Sequence, residues 1–192
     1  MSEMKRMVMM FLGVFALLVL AAGTNVAYAD EYKCIGTMGA VTIDGDLLVP
    51  QGKTCTLNGT YVKGNIKVAS KATLYAKNVD VDGNIQADSG AKLVSVTAGT
   101  FVDGDVQVKK SNAVTVLNSR VNGNIQLEEN KRALKVNKNT VGGDIQIFKN
   151  TGGATISNNN IDGNLQCKEN APAPKGTANI VDGNKEDQCR NF

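Results

Sequence analysis

Four aspartates, Asp80, Asp82, Asp103 and Asp105, fall near the same corner of two successive segments of this 192-residue chain. Carboxylates so placed have two chemical uses. Together they supply the several oxygen ligands that calcium takes, and with Arg120 as a base they would form the cation-assisted centre of a polysaccharide lyase. Four cysteines, Cys34, Cys55, Cys167 and Cys189, bring a different chemistry, cross-linking. Histidine is absent, which removes His-dependent triads and the commonest metal ligand.

The elements that must position these groups come from a repeat. A run of apolar residue, any residue, Gly, Asn or Asp, apolar residue recurs with its glycines at Gly45, Gly64, Gly83, Gly104, Gly123, Gly143, Gly163 and Gly183. A period of 19–21 residues marks a solenoid, in which each repeat buries its apolar face only against its neighbours. Two residues before each glycine stands Ile or Val, and two and four after the first seven stand further apolar residues, as in Ile125 and Leu127. That alternation predicts a strand with one buried face. Its opposite face carries Gln86, Gln107, Gln126, Gln146 and Gln166. A second strand is predicted upstream in each repeat, as in Leu74-Tyr75-Ala76 and Val114-Thr115-Val116, so each coil holds at least two strands. The glycine is expected to take a positive φ at a sharp corner.

The fold predicted is all-β: a single-domain right-handed parallel β-helix of about eight coils, spanning residues 30–192. Stacked coils bring like positions into columns. The one after the glycine reads Asp46, Asn65, Asn84, Asp105, Asn124, Asp144, Asn164, Asn184, with no two aspartates adjacent. Neighbouring carboxylates repel, whereas stacked amides hydrogen-bond, so an amide ladder is expected there and along the glutamines. The glutamine column is also the candidate binding surface. The acidic quartet is either a weak calcium site or a solvated edge neutralised by lysines such as Lys63 and Lys109, and no other cofactor is expected. Lys131, Arg132, Lys135 and Lys138 form a basic patch read as a solvated face, with no nucleic acid as partner.

Of the three pairings open to four cysteines, only Cys34–Cys55 with Cys167–Cys189 joins neighbouring coils. Each pair is offset by two residues relative to its glycines, which a bulge or loose terminal coil must absorb. The last repeat places Lys185, Glu186 and Asp187 where earlier coils alternate apolar residues with Gln, and this predicts a polar cap.

Residues 1–29 combine Lys5 and Arg6, an apolar stretch from Val8 to Ala22, and Ala27-Tyr28-Ala29 before Asp30, the pattern of a secretory signal peptide. The stretch is shorter than a membrane span and no second one follows, so no span is expected in the mature chain. An extracytoplasmic location suits the cysteines, and the near-balanced charge of +3 names no particular polyanion.

The Val-x-Gly-Asn/Asp-Ile-Gln repeats, with the tail from Gly163 through Cys189, resemble a group of small bacterial exported repeat proteins of unknown function. Bactofilins, the polymer-forming β-helices of the cytoplasm, are a looser match that lacks the signal peptide and disulfides. The first resemblance implies a β-helix outside the cytoplasm and no activity. Three functions compete: a non-catalytic structural or binding module meeting glycan, cell wall or a surface protein; a self-assembling extracellular subunit; and a calcium-dependent lyase. The uniformly short corners leave the lyase no loops to build a cleft, and the first reading is preferred.

Overall fold

The computed structural model describes residues 31–192, so the predicted signal peptide lies outside the described residues. Those residues form a β-solenoid of about eight coils with three parallel sheets and, among them, no helix. Sheet A has nine strands, from Tyr32–Lys33 and Leu47–Val49 to Leu165–Lys168 and Lys185–Asp187. Sheet B has eight, from Gly36–Met38 to Lys175–Thr177, and contains the longest strands, such as Thr73–Lys77. Sheet C has eight strands of two residues each, from Thr42–Ile43 to Ile180–Val181.

The coil thus has three sides. The two longer ones match the predicted strands, with Ile85, Val106, Ile125 and Ile145 in register in sheet A and Leu74, Val94, Val114 and Leu134 in register in sheet B. The β-branched residue before each glycine belongs to the third side: Val81, Val102, Val121 and Val141 form their own column in sheet C. Side chains from all three sides meet in one core, where Leu47, Ile66, Leu74, Val102, Ile125, Val136 and Ile156 are fully buried. Burying one such side chain contributes about 1.5–3 kcal/mol, yet a single coil leaves it open above and below. Stability therefore resides in the stacking.

The repeated glycine serves a different purpose from the one expected. Only Gly45 of the eight has positive φ; the left-handed residues sit at the other two corners and are mostly not glycine, as at Asn78, Lys110, Asn118, Glu129, Lys149 and Asn158. At the glycine corner the demand is for space. A Cβ on Gly123 would lie 2.3 Å from Asp105 Oδ1 and 2.7 Å from the Gly104 carbonyl oxygen. The coils approach so closely because Gly123 N–H donates to the carbonyl of Gly104, 3.1 Å away.

Candidate binding surfaces and end caps

The position after the glycine forms a continuous ladder. Each residue's backbone N–H donates to the side-chain oxygen of the previous coil: Asn65 to Asp46 at 2.8 Å, Asp105 to Asn84 at 2.8 Å, Asn124 to Asp105 at 2.6 Å and Asn184 to Asn164 at 2.9 Å. Where the residue is Asn, its Nδ2 often donates to the same oxygen, as from Asn124 to Asp105 at 3.1 Å. Two adjacent aspartates would lose that second donor and set two charges face to face. At the N-terminal end the Asn65 backbone N–H and the Lys67 ammonium, 2.8 Å from Asp46 Oδ2, hold the Asp46 carboxyl below its ordinary range. Hydrogen bonding to Asp46 and then Glu31 raises Lys67 in turn.

The glutamines line the outer face of sheet A and are half-buried. Gln86 Nε2 donates to Gln107 at 3.3 Å, Gln107 to Asp105 at 3.0 Å, Gln146 to Gln166 at 3.0 Å and Gln166 to Glu186 at 3.0 Å. The ladder breaks at Gln126, whose amide bonds neither neighbouring glutamine. The column therefore combines internal pairing with free amide capacity.

The acidic quartet is not assembled into a site. Asp80 lies between Tyr61 and Phe101 in one outward column of sheet C, whereas Asp105 lies in the glycine-corner ladder. Asp82 and Asp103 are exposed, and both already accept hydrogen bonds, from the Tyr61 hydroxyl at 2.6 Å and from Asn122 Nδ2 at 2.7 Å. The bond to Asp82 raises the Tyr61 phenol. Among the described residues no three Asp, Glu, Cys or His side chains group in a way that could hold a metal ion. Arg120, the lyase base candidate, instead lies 6.0 Å over the Phe101 ring and donates through Nε to Asn122 at 3.1 Å. Lys63 pairs with Asp44 and Lys109 with Glu128, not with the quartet.

Both predicted disulfides form, with Cα–Cα separations of 5.5 Å for Cys34–Cys55 and 5.3 Å for Cys167–Cys189. The two-residue offset has a simple origin at the first: Cys34 stands in the sheet A column of Val49, its N–H donating to Leu48 O, and reaches Cys55 on sheet B of the next coil. Cys167 occupies the same sheet A column, and Cys189 lies in the turn after the last strand. The C-terminal end is closed. Lys185 Nζ donates to the carbonyls of Asn179 and Phe192, Gln188 caps Asn170, and the Phe192 ring covers Gly176. At the N-terminal end Tyr32, Ile35 and Val41 are exposed.

Two further ladders escaped the sequence reading. Asn130, Asn150 and Asn170 stack at one inner corner and Asn139, Asn159 and Asn179 at another, all buried. Asn130 and Asn139 accept from the backbone N–H of Ser111 and Ser119, each later rung accepts from the preceding asparagine, and all six donate Nδ2 to a carbonyl in an earlier coil, as from Asn150 to Leu127 O at 2.9 Å. Their signal was a recurrence of Asn at the repeat period, indistinguishable from turn composition.

No protein-family model, curated protein or solved structure matches this chain.

Proposed function

We propose that the protein is an exported, non-catalytic rod, a structural or binding module that works at the cell surface or in the extracellular space. The observation that carries this reading is the pair of disulfides closing the first and last coils of a β-solenoid. Such bonds form and persist in oxidising compartments. The signal-peptide pattern of residues 1–29 supports export, and among the described residues no helix is long and apolar enough to cross a membrane. In support of a non-catalytic role, the four candidate acids are spread over three columns, with only Asp82 and Asp103 sharing one, and Asp82, Asp103 and Asp105 are tied into surface hydrogen bonds or the corner ladder. The closed C-terminal end counts against growth end to end.

The test is fractionation of cells expressing the full chain, with mass spectrometry of a non-reduced digest. Extracytoplasmic protein starting near Asp30, with both bridges formed, is the expected result. Cytoplasmic protein with free thiols would overturn the proposal.

A further inference from the structure

Charge is unevenly divided among the three faces. Every strand of sheet B, from Gly36–Met38 to Lys175–Thr177, lacks Asp and Glu. Its outward positions carry Lys77, Lys135 and Lys175 among Thr, Ser and Asn, all three lysines exposed. Lys53, Lys92 and Arg132 stand exposed at the corner leading into the sheet, and Lys138 at the corner leaving it. The acids lie on the outer sides of sheets A and C and at the corners, with Asp88, Glu129 and Glu169 exposed at the sheet A end of the corner that leads into sheet B. Among the described residues the ion pairs involve only Lys63, Lys67 and Lys109, so no cation of the sheet B face is neutralised by a neighbour. The net charge of the chain hides this segregation completely.

The face also has a shape. Ala133, Lys135, Gly153, Thr155, Ala173 and Lys175 are among the residues that line a groove of about 250 Å³ on its C-terminal part. Lys135 and Lys175 share a column with Thr155 between them, so their backbones are two coils, about 10 Å, apart along the rod. We infer that sheet B is a binding face for a linear acidic polysaccharide, with its carboxylates on the lysines and its sugar backbone in the groove. The inference rests on the proposed role as an exported binding module and names the ligand class for it.

Charge complementarity and the groove select this partner. Single-stranded nucleic acid needs a series of aromatic platforms, and Tyr75 is the one aromatic in the strands of this sheet. An anionic bilayer is bound by cations together with inserting apolar side chains, whereas the outward apolar residues here, Leu93 and Leu117, are half-buried. Lysines offer mobile point charges rather than bidentate forks, which suits a polymer read by charge spacing and predicts strong weakening by salt.

The test uses polygalacturonate as probe, with its fully methyl-esterified form as the uncharged control, titrated into exported, oxidised protein at low and physiological salt. Binding to the acid form, loss with the ester and weakening by salt are expected. Lys77→Gln/Lys135→Gln/Lys175→Gln should lower affinity about tenfold, while Lys63→Gln/Lys109→Gln/Lys168→Gln, which removes equal charge from the glycine corner and sheet A, changes it less than about twofold. Circular dichroism confirms that both variants are folded. Equal losses in the two variants, equal binding of the ester, or tighter binding to single-stranded DNA or phosphatidylglycerol vesicles would each overturn the inference. Cytoplasmic retention defeats the export proposal; exported, bridged protein that ignores polygalacturonate defeats this inference alone.

Discussion

The two halves of the rod build the same buried corners from different chemistry. In the N-terminal coils the inward corner positions are Thr60, Ala72, Val79 and Ala91; in the C-terminal coils the same columns hold Asn130, Asn139, Asn150, Asn159, Asn170 and Asn179. Thr100, Ser111 and Ser119 mark the change, each hydroxyl or backbone N–H bridging one style to the other. Corner positions filled by Ala72, Val79 and Ala91 depend on local packing, and Thr60 adds a single hydroxyl bond to the Gly39 carbonyl. An amide corner depends on its neighbours, because each asparagine satisfies polar groups in the coils on both sides. The C-terminal half should consequently behave as one cooperative block, and the N-terminal half as coils that loosen more independently.

Replacing one rung should give the largest effect. Asn150 Oδ1 accepts from the backbone N–H of Asn130 at 2.9 Å and its Nδ2 at 3.0 Å, so Asn150→Leu leaves that N–H buried without a partner and the Nδ2 with only the Val108 carbonyl. A loss of about 3–5 kcal/mol in urea unfolding is expected. The corresponding change in the other half, Thr100→Val, removes one hydroxyl that accepts from Val79 N–H at 3.2 Å and donates to Thr97 O at 2.8 Å. It should cost about 1–2 kcal/mol. Equal costs for the two variants would erase the distinction between the halves.

Acid provides a third and smaller probe. Asp46 titrates below its ordinary value of 3.8 in the folded chain, so its contribution is fully present above that value and is lost as pH falls through the lower folded pKa. Asn65 and Lys67 provide the cause, and both belong to the N-terminal coils. Hydrogen exchange below about pH 4 should therefore show the amides of Asn65 and Leu47 losing protection before those of Asn130 and Asn139, whose amide ladders do not titrate. Asp46→Asn should remove this acid-dependent step. Simultaneous loss in both halves would show that the ionic contact at Asp46 has no local role.

Much of the fold could be read from the chain because a solenoid repeats its instructions. The columns Ile85 to Leu165 and Val81 to Ile161 announce themselves at a constant distance from a glycine. Sheet C was merged into its neighbour because strands as short as Arg120–Val121 have no alternation to read. The role of Gly123 was misassigned because glycine is equally the residue for positive φ and for close backbone approach, and only coordinates separate the two. The placing of the four aspartates was hidden for a related reason: Asp80 and Asp82 share an outward face, but Asp105 lies beyond the corner, in a ladder. The basic face was legible only in part, through Lys131, Arg132, Lys135 and Lys138. Lys77 and Lys175 join them through strand register, which the variable coil length conceals.

Coil-by-coil stacking underlies every column described, and a distance along one column tests it directly. Thr56 and Thr155 lie five steps apart in the outward column of sheet B that passes through Tyr75, Ser95, Thr115 and Lys135. Spin labels on Thr56→Cys and Thr155→Cys, measured by pulsed dipolar spectroscopy, should give one narrow distribution near 24 Å, about 4.8 Å for each coil. A broad distribution, or a narrow one centred beyond about 40 Å, would contradict the stacking and with it the faces, ladders and caps built upon it.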